Sequence, residues 1–285
     1  MSVIEALILG ILQGVTEFIP VSSSGHLVLF QKIFKLSEGV FEFDIIVHFA
    51  TSLAVIWVFH KEIYGILRDV ILTCKLLLFK GQRKVLNEGT KLALLIIAGS
   101  IPTFLIAVAF KSYFKEAFET GKLLGVGFII TGLILWYAEK GYKSNKNLKS
   151  AGLADSVFIG TMQGIAILPG ISRSGSTISA ALLRGLNRDF AARFSFLLSL
   201  PVILGAALLE TVDFIKDGAQ MPAIPQTRLV VGFIASLLSG YAAVKFMLRV
   251  VSKGKFKGFA YYMFAIGIAV LSDQLFFNIL FSPLF

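Results

Sequence analysis

QGVTEFIPVSSSGH at residues 13–26 and QGIAILPGISRSGS at residues 163–176 nearly repeat one another. Gln-Gly matches Gln-Gly, Ser-Ser-Ser-Gly matches Ser-Arg-Ser-Gly, and the intervening proline is displaced by one position. Polar, helix-breaking sequence is tolerated at membrane depth only where it is buried in protein or lines a cavity. One copy in each half of an apolar chain therefore predicts a site that two repeats share.

The composition of the chain is that of an integral membrane protein. Of its 285 residues, 56% are hydrophobic and only 15% are charged, whereas about a quarter of the residues of soluble domains are charged. The net charge is +10, but the basic residues cluster between apolar stretches. That distribution orients a protein against anionic lipid. We therefore expect membrane lipid, and no nucleic acid, as a partner.

Six apolar stretches are long enough to cross a bilayer, which takes roughly 20 residues of helix. They lie near residues 41–59, 92–110, 121–138, 190–209, 228–248 and 259–281. The motif regions, residues 1–33 and 152–184, instead have a short apolar run, a break rich in Gly, Pro and Ser, and a second short run. About a dozen helical residues reach only half of the hydrocarbon core. Each motif region is predicted to be a re-entrant hairpin, with one kinked span as the alternative.

Charge between the apolar stretches predicts the orientation. Residues 60–91, 139–149 and 249–257 are basic, whereas residues 111–120 and 210–227 are mixed or acidic. The positive-inside rule places the basic segments in the cytoplasm. A hairpin followed by three spans in each half then inverts the second half relative to the first. We expect one all-α membrane domain of residues 1–285, with a first repeat at 1–150 and an inverted repeat at 151–285.

The first motif supplies a carboxylate and an anion cradle. Gln13 and Glu17 are four residues apart, so they share one face of a helix. A carboxylate at membrane depth is costly unless it meets a cation, a proton or a metal. The positive N-terminal end of the returning helix favours an anion. The residues that can cap this end are Ser22, Ser23, Ser24 and Gly25.

The remaining polar residues complete a set suited to phosphoryl transfer. His26 can act as an acid, as a base or as a hydrogen-bond donor to phosphate. Arg173 offers a planar fork that matches phosphate oxygens. Three hydroxyls lie near it in sequence, those of Ser172, Ser174 and Thr177. Phosphoryl transfer requires charge stabilisation, a nucleophile and a proton acceptor, and this set contains all three.

Structural interpretations of the same residues stay open at this point. Ser and Gly can serve only close helix packing. Glu17 and Arg173 can pair with one another without any catalytic role, and His26 can be a plain capping residue. His48, inside an apolar span, is interpreted as a satisfied structural histidine rather than a cavity-lining residue.

At these residues the chain resembles the bacterial undecaprenyl-diphosphatase family of the bacitracin-resistance type. The resemblance covers essentially the whole chain, including the run FSFLL at residues 194–198. The family's first motif has Glu or Gln at its first position and Glu four residues later; this chain has Gln13 and Glu17. The positions that match the family's active-site residues are Glu17, Ser23, His26, Ser172, Arg173 and Thr177.

The resemblance implies hydrolysis of undecaprenyl diphosphate to undecaprenyl phosphate and inorganic phosphate. This recycles the lipid carrier for cell-wall synthesis and confers bacitracin resistance. It also implies a site on the extracytoplasmic side of the bacterial cytoplasmic membrane and a divalent cation, Mg²⁺ or Ca²⁺. We expect Glu17 and Gln13 to hold the cation, which would neutralise diphosphate oxygens. The oligomeric state stays open, with a homodimer as one alternative.

The expected roles follow from this resemblance and from side-chain chemistry. Ser23 is the nucleophile or orients a water, His26 accepts the proton, and Glu17 binds the cation or orients His26. Arg173 holds the diphosphate. The further residues expected to bind substrate are Gln13, Ser22, Ser24, Gly25, Ser172, Ser174 and Thr177.

A transporter is the main alternative function, because inverted repeats with a midplane site also serve alternating access. The acid-phosphatase-like lipid phosphatases are a second alternative. They require a proline where this chain has Ser23, an Arg-Pro dipeptide and a later histidine. The sequence has no Arg-Pro dipeptide and no histidine after His60, which excludes that superfamily.

Overall fold

The computed structural model describes residues 1–36, 40–80, 87–140, 142, 146–216, 224–254 and 256–281. Regular structure in these ranges is helical, apart from one isolated bridge between Lys146 and Leu186. This confirms the all-α prediction. The helices are α1 Val3–Phe18, α2 Ser23–Ile33, α3 Val40–Lys80, α4 Glu88–Ala109, α5 Lys111–Thr120, α6 Leu124–Lys140, α7 Leu153–Ile165, α8 Arg173–Leu183, α9 Arg188–Lys216, α10 Gln226–Ser252 and α11 Lys257–Ser272, which a π-helical turn, Asp273–Phe277, extends.

Among the described residues, five helical segments are long and apolar enough to cross a membrane. They are Glu42–Leu76, Glu88–Ala109, Arg188–Leu209, Gln226–Ser252 and Lys257–Phe277. A sixth span was expected at residues 121–138, where α6 has 17 residues and forms with α5 a pair bent by 108°. The chain is therefore a multi-pass helical membrane protein, and its described residues form five or six spans.

The segment after the first span differs from the prediction. Residues 60–91 were expected to form a cytoplasmic loop, but α3 continues through residue 80 after a kink at Phe59, where φ is −100° and ψ is 16°. The charges of this segment predict contact with water, which an exposed helix satisfies as well as a loop does. Residues 60–80 contain no proline, so nothing in the backbone stops the helix at the membrane surface.

Two breaks divide short helices at the motifs. Residues 19–22, the first tip, separate α1 of 16 residues from α2 of 11 residues. Residues 166–172, the second tip, separate α7 of 13 residues from α8 of 11 residues. The breaks lie where the Gly, Pro and Ser pattern predicted them. Each of the four helices is shorter than the roughly 20 residues that a full span takes.

Each helix that precedes a tip packs closely on a long helix. Helix α1 packs on α10, and α7 packs on α4. At the first crossing, a Cβ on Gly10 would lie 2.5 Å from the carbonyl oxygen of Gly232; at the second, a Cβ on Gly160 would lie 1.8 Å from the carbonyl oxygen of Gly99. Small residues allow this approach of two helix backbones. The crossings hold both tips inside the helical bundle.

Candidate active site

Glu17 is the centre of the polar cluster. It lies in the last turn of α1 and is 5% exposed. Its Oε1 accepts a hydrogen bond from Nη2 of Arg173 at 2.6 Å. Its Oε2 accepts one from Nε2 of Gln13 at 3.1 Å and a short one from the hydroxyl of Ser23. The carboxylate therefore joins α1, the start of α2 and the start of α8.

The first tip positions Ser23 through the backbone of its neighbours. Helix α1 ends at Phe18, and the next residue, Ile19, is extended, as expected for a residue before proline. Ser22 adopts φ 68° and ψ 91°, a region that residues other than glycine rarely occupy. The hydroxyl of Ser22 accepts a hydrogen bond from the Gly25 N–H at 3.3 Å. Helix α2 therefore begins at Ser23, beside Glu17.

The next two positions of the first motif contact Ser22 and α6. The hydroxyl of Ser24 lies 3.5 Å from that of Ser22. A Cβ on Gly25 would lie 2.4 Å from the ring of Phe128 in α6. Gly25 is therefore required for the approach of α2 to Phe128 of α6.

The second tip is anchored to α6 and to the first tip. Ser172 caps α8, because its hydroxyl accepts a hydrogen bond from the Gly175 N–H at 3.0 Å. Thr131 of α6 accepts a hydrogen bond from the Ser172 N–H at 2.9 Å and donates one to the Gly170 carbonyl at 3.0 Å. The hydroxyl of Ser174 donates to the Ile19 carbonyl at 3.3 Å. These contacts place Arg173, the first residue of α8, against Glu17.

His26 and Thr177 lie near the cluster, but their side chains face other partners. The ring nitrogens of His26 contact the Ser22 carbonyl at 2.8 Å and the Tyr262 hydroxyl at 2.6 Å. The hydroxyl of Thr177 donates to the Arg173 carbonyl at 2.9 Å and makes a short contact with the hydroxyl of Ser195. In this arrangement the hydroxyl of Ser23 faces Glu17 and not His26.

The fold brings to this site several residues that the sequence motifs do not include. Nε2 of His48, in α3, lies 3.9 Å from Oε2 of Glu17. The signal in the sequence is its position inside an apolar span, which also fits the structural interpretation given above. Tyr262 and Thr131 lie in apolar helices, and no local pattern distinguishes them from packing residues.

The residues predicted to hold a cation, Gln13 and Glu17, suit a cation that is shared between the protein and the substrate. In the described part of the chain, no group of three or more His, Cys, Asp and Glu side chains converges. Glu17 offers one carboxylate, and Oε1 of Gln13 is buried without a hydrogen-bond partner among the described residues. Mg²⁺ commonly binds through one or two carboxylates together with substrate phosphates and waters. Gln13 and Glu17 suit that kind of site rather than a closed protein cage.

The electrostatics of the cluster favour an anionic substrate. The N-terminal ends of α2 and α8 and the guanidinium of Arg173 supply positive charge, against the single negative charge of Glu17. The side chain of Arg173 is 19% exposed, whereas that of Glu17 is 4% exposed. A phosphate group can therefore approach the guanidinium from its exposed side while Glu17 stays buried.

This fold and site define a multi-pass helical membrane protein whose polar centre lies on two interrupted helices, one from each half of the chain. Residues 6–269 match the family model described as "Bacitracin resistance protein BacA". The chain therefore belongs to this family.

Three relatives carry the name undecaprenyl-diphosphatase. The protein from Carboxydothermus hydrogenoformans is 49% identical over 274 residues, which are 96% of this chain and 98% of the relative. The protein from Halothermothrix orenii is 40% identical, and that from Alkaliphilus metalliredigens is 39% identical. Each of these two alignments covers 95% of this chain and 98% of the relative. The similarity therefore extends over the whole fold and includes both tips.

Proposed function

We propose that this protein hydrolyses undecaprenyl diphosphate to undecaprenyl phosphate and inorganic phosphate. The observation that carries the proposal is that one buried carboxylate, Glu17, contacts both the hydroxyl of Ser23 and the guanidinium of Arg173. Phosphoryl transfer requires a hydroxyl, a proton acceptor and a positively charged group that binds phosphate, here the guanidinium. The names of the relatives support the same reaction.

The geometry supports a role for Glu17 as the proton acceptor. The Ser23 oxygen would attack the distal phosphorus, forming a P–O bond while the bridging P–O bond to undecaprenyl phosphate breaks. The hydroxyl proton would pass to Oε2 of Glu17, which already accepts the hydrogen bond from Ser23. A water would then hydrolyse the phosphoserine and release inorganic phosphate. In the alternative, the hydroxyl of Ser23 orients a water that attacks phosphorus directly.

The other polar residues of the tips would bind and position the diphosphate. Arg173 uses one guanidinium nitrogen on Glu17, and its further N–H groups are available to phosphate oxygens. The caps that Ser22 and Ser172 form fix the helix ends whose N–H groups favour an anion. Ser24 and Ser174 add hydroxyls next to these caps. His26 and Thr177 would act through the residues that they hold, because their own polar atoms are paired elsewhere.

Mg²⁺ or Ca²⁺ would be held by Glu17 and Oε1 of Gln13 together with diphosphate oxygens. When bound, it would neutralise charge on the diphosphate and favour departure of the leaving phosphate. Nε2 of Gln13 also donates a hydrogen bond to Oε2 of Glu17 at 3.1 Å. This contact keeps the carboxylate of Glu17 oriented whether or not a cation is present.

Two inverted repeats, residues 1–150 and 151–285, would place the tips together from opposite membrane faces. The two glycine crossings support this proposal, because Gly10 precedes the first tip and Gly160 the second at matching motif positions. Their partners, Gly232 and Gly99, lie in the corresponding helices α10 and α4. We further propose that the site opens to the extracytoplasmic side of the cytoplasmic membrane.

Labelling of single cysteines tests this topology. Cys74 is the only cysteine, so it is replaced by serine and one cysteine is introduced at Ser2 or at Asn147. A membrane-impermeant maleimide applied to intact cells should label position 2 and not position 147. Labelling of both positions, or of position 147 alone, would overturn the proposed orientation.

Phosphate release from undecaprenyl diphosphate by the detergent-purified protein tests the proposed activity. We expect Mg²⁺-dependent release by the native chain and its loss in Arg173→Ala. Arg68→Ala is the matched control, because the side chain of Arg68 is 61% exposed and pairs with its neighbour Asp69. Absence of release by well-folded native protein would reject the proposal and favour the transporter alternative.

A further inference from the structure

Tyr262 connects the second half of the chain to the first tip. It lies in α11, and its hydroxyl oxygen is 2.6 Å from Nε2 of His26. The two rings are stacked, with centroids 5.7 Å apart and an interplanar angle of 16°. His26 itself is 2% exposed. A buried imidazole is thus held both by a hydrogen bond and by ring contact from a helix 236 residues away in sequence.

The hydrogen-bond partners of His26 define its tautomer in the neutral ring. Nδ1 lies 2.8 Å from the Ser22 carbonyl, which can only accept, so Nδ1 carries the proton. Nε2 is then an acceptor, and the hydroxyl of Tyr262 is the donor. Without that hydroxyl, Nε2 would lose its hydrogen-bond partner, while the Ser22 carbonyl would still favour the proton on Nδ1.

The imidazole in turn holds the least favourable backbone conformation of the first tip. The Ser22 carbonyl accepts hydrogen bonds from both the His26 backbone N–H at 3.1 Å and Nδ1. Ser22 has φ 68°, a conformation that persists only when the surroundings fix it. Ser23 follows directly and contacts Glu17. The chain of contacts therefore runs from Tyr262 through His26 and Ser22 to the reacting hydroxyl.

In the second tip, a serine caps the helix without a histidine that contacts its carbonyl. Ser172, the counterpart of Ser22, has an ordinary φ of −73°. At the counterpart of His26 the chain has Ser176, whose hydroxyl is buried without a hydrogen-bond partner among the described residues. Among the described residues, the histidine contact is therefore present at the first tip, which carries the proposed nucleophile, and absent from the second tip.

We propose that Tyr262 is a positioning residue that holds Ser23 in its reactive orientation through His26 and Ser22. This inference rests on the proposed function for its kinetic consequence, but its structural part can be measured separately. Tyr262→Phe removes the hydroxyl and keeps the ring. Tyr261→Phe is the matched control, since Tyr261 is the adjacent residue, is 57% exposed and packs on Trp136.

The first experiment observes His26 directly and does not depend on activity. The chain has three histidines, so ¹⁵N-histidine labelling gives few resonances, and His26→Ala assigns those of His26. Tyr262→Phe should shift the Nε2 resonance of His26 and broaden or shift that of Nδ1, whereas Tyr261→Phe should leave both in place. Unchanged His26 resonances in Tyr262→Phe would overturn the inference, whatever the enzyme does.

The second experiment measures kcat and KM for undecaprenyl diphosphate hydrolysis. A displaced nucleophile costs about 10- to 100-fold in rate, so kcat of Tyr262→Phe should fall by that factor while KM stays within about twofold of the native value. Tyr262→Phe added to His26→Ala should cause no further loss. A native kcat in Tyr262→Phe, or additive losses in the double variant, would overturn the proposed route through His26. Native protein without activity would reject the proposed function and leave the resonance experiment valid.

Discussion

Glu17 and Arg173 are 156 residues apart in sequence and meet at 2.6 Å between Oε1 and Nη2. Each belongs to a different broken helix, so their contact closes the site between the two halves of the chain. Breaking a buried ion pair by removing one partner typically destabilises a protein by about 3–5 kcal/mol, because the other charge is left unpaired.

We therefore predict that Arg173→Met lowers the free energy of unfolding in detergent by about 3 kcal/mol. The double variant Glu17→Gln/Arg173→Met should recover most of this stability and none of the activity. Thermal unfolding and phosphate release measure the two effects. Equal stability of Arg173→Met and the native protein would show that Glu17 does not need this partner.

Ser23→Ala should lower phosphate release by at least about a thousandfold if Ser23 is the nucleophile. Ser24→Ala is the adjacent control and should lose less, because the hydroxyl of Ser24 contacts Ser22 at 3.5 Å and not Glu17. Radiolabelled distal phosphate retained on native protein, but not on Ser23→Ala, would establish the covalent route. Near-native turnover by Ser23→Ala would assign the attack to water.

The proposed cation requirement should depend on Gln13. Gln13→Leu removes the unpaired amide oxygen, so the Mg²⁺ concentration for half-maximal phosphate release should rise about tenfold. Gln13→Glu creates a carboxylate pair with Glu17 and should lower that concentration. The measurement is a Mg²⁺ titration after removal of metal with EDTA. An identical Mg²⁺ dependence in all three proteins would exclude Gln13 as a ligand.

Gly160→Ala should destabilise the fold by about 1–3 kcal/mol, because the new Cβ would lie 1.8 Å from the Gly99 carbonyl oxygen. A backbone atom cannot move aside as a flexible side chain can. Gly258→Ala is the control, since among the described residues nothing beyond its own turn of helix lies within 4 Å of its Cβ position. Thermal unfolding of both variants checks the prediction, which fails if the two melt alike.

Asp155, at the start of α7, should make stability depend on pH. Burial raises the pKa of Asp155, but hydrogen bonds from Lys146, the Gly152 N–H and Arg184 outweigh burial and leave the pKa below its usual value. A lowered pKa in the folded state gives stability that is present above the unfolded value, about 3.9, and is lost as the pH falls through the folded value. The melting temperature of the native protein should therefore drop below about pH 4. Asp155→Asn should lack this component of the drop; an identical acid profile in both proteins would contradict the prediction.

Composition and motif spacing were sufficient to predict the all-α membrane fold and the two breaks, and they gave the pairing of Glu17 with Arg173 only as one alternative. These features follow from local physics: a broken helix needs Gly, Pro or a capping serine, and a carboxylate at membrane depth needs a partner. The extent of α3 beyond Phe59 could not be predicted from charge, because charge indicates exposure to water and not backbone conformation.

The partners of His26 could not be predicted for a different reason. Tyr262 lies 236 residues away, and in sequence it is one aromatic residue among many in an apolar helix. Only the packing of α11 on α6 brings its hydroxyl to the imidazole. His48 reaches Glu17 in the same way, from a helix whose sequence is otherwise typical of a lipid-exposed span.

The separation of Glu17 from its cationic partner also has a consequence during synthesis. A ribosome adds about 5–20 residues per second, so the 156 residues between the pair take on the order of ten to thirty seconds to make. During that interval the first helices enter the membrane before Arg173, the partner of Glu17 in the folded protein, has been made. The nascent N-terminal half must keep the carboxyl group of Glu17 protonated or in contact with water, and the first tip can close only after the second has been translated.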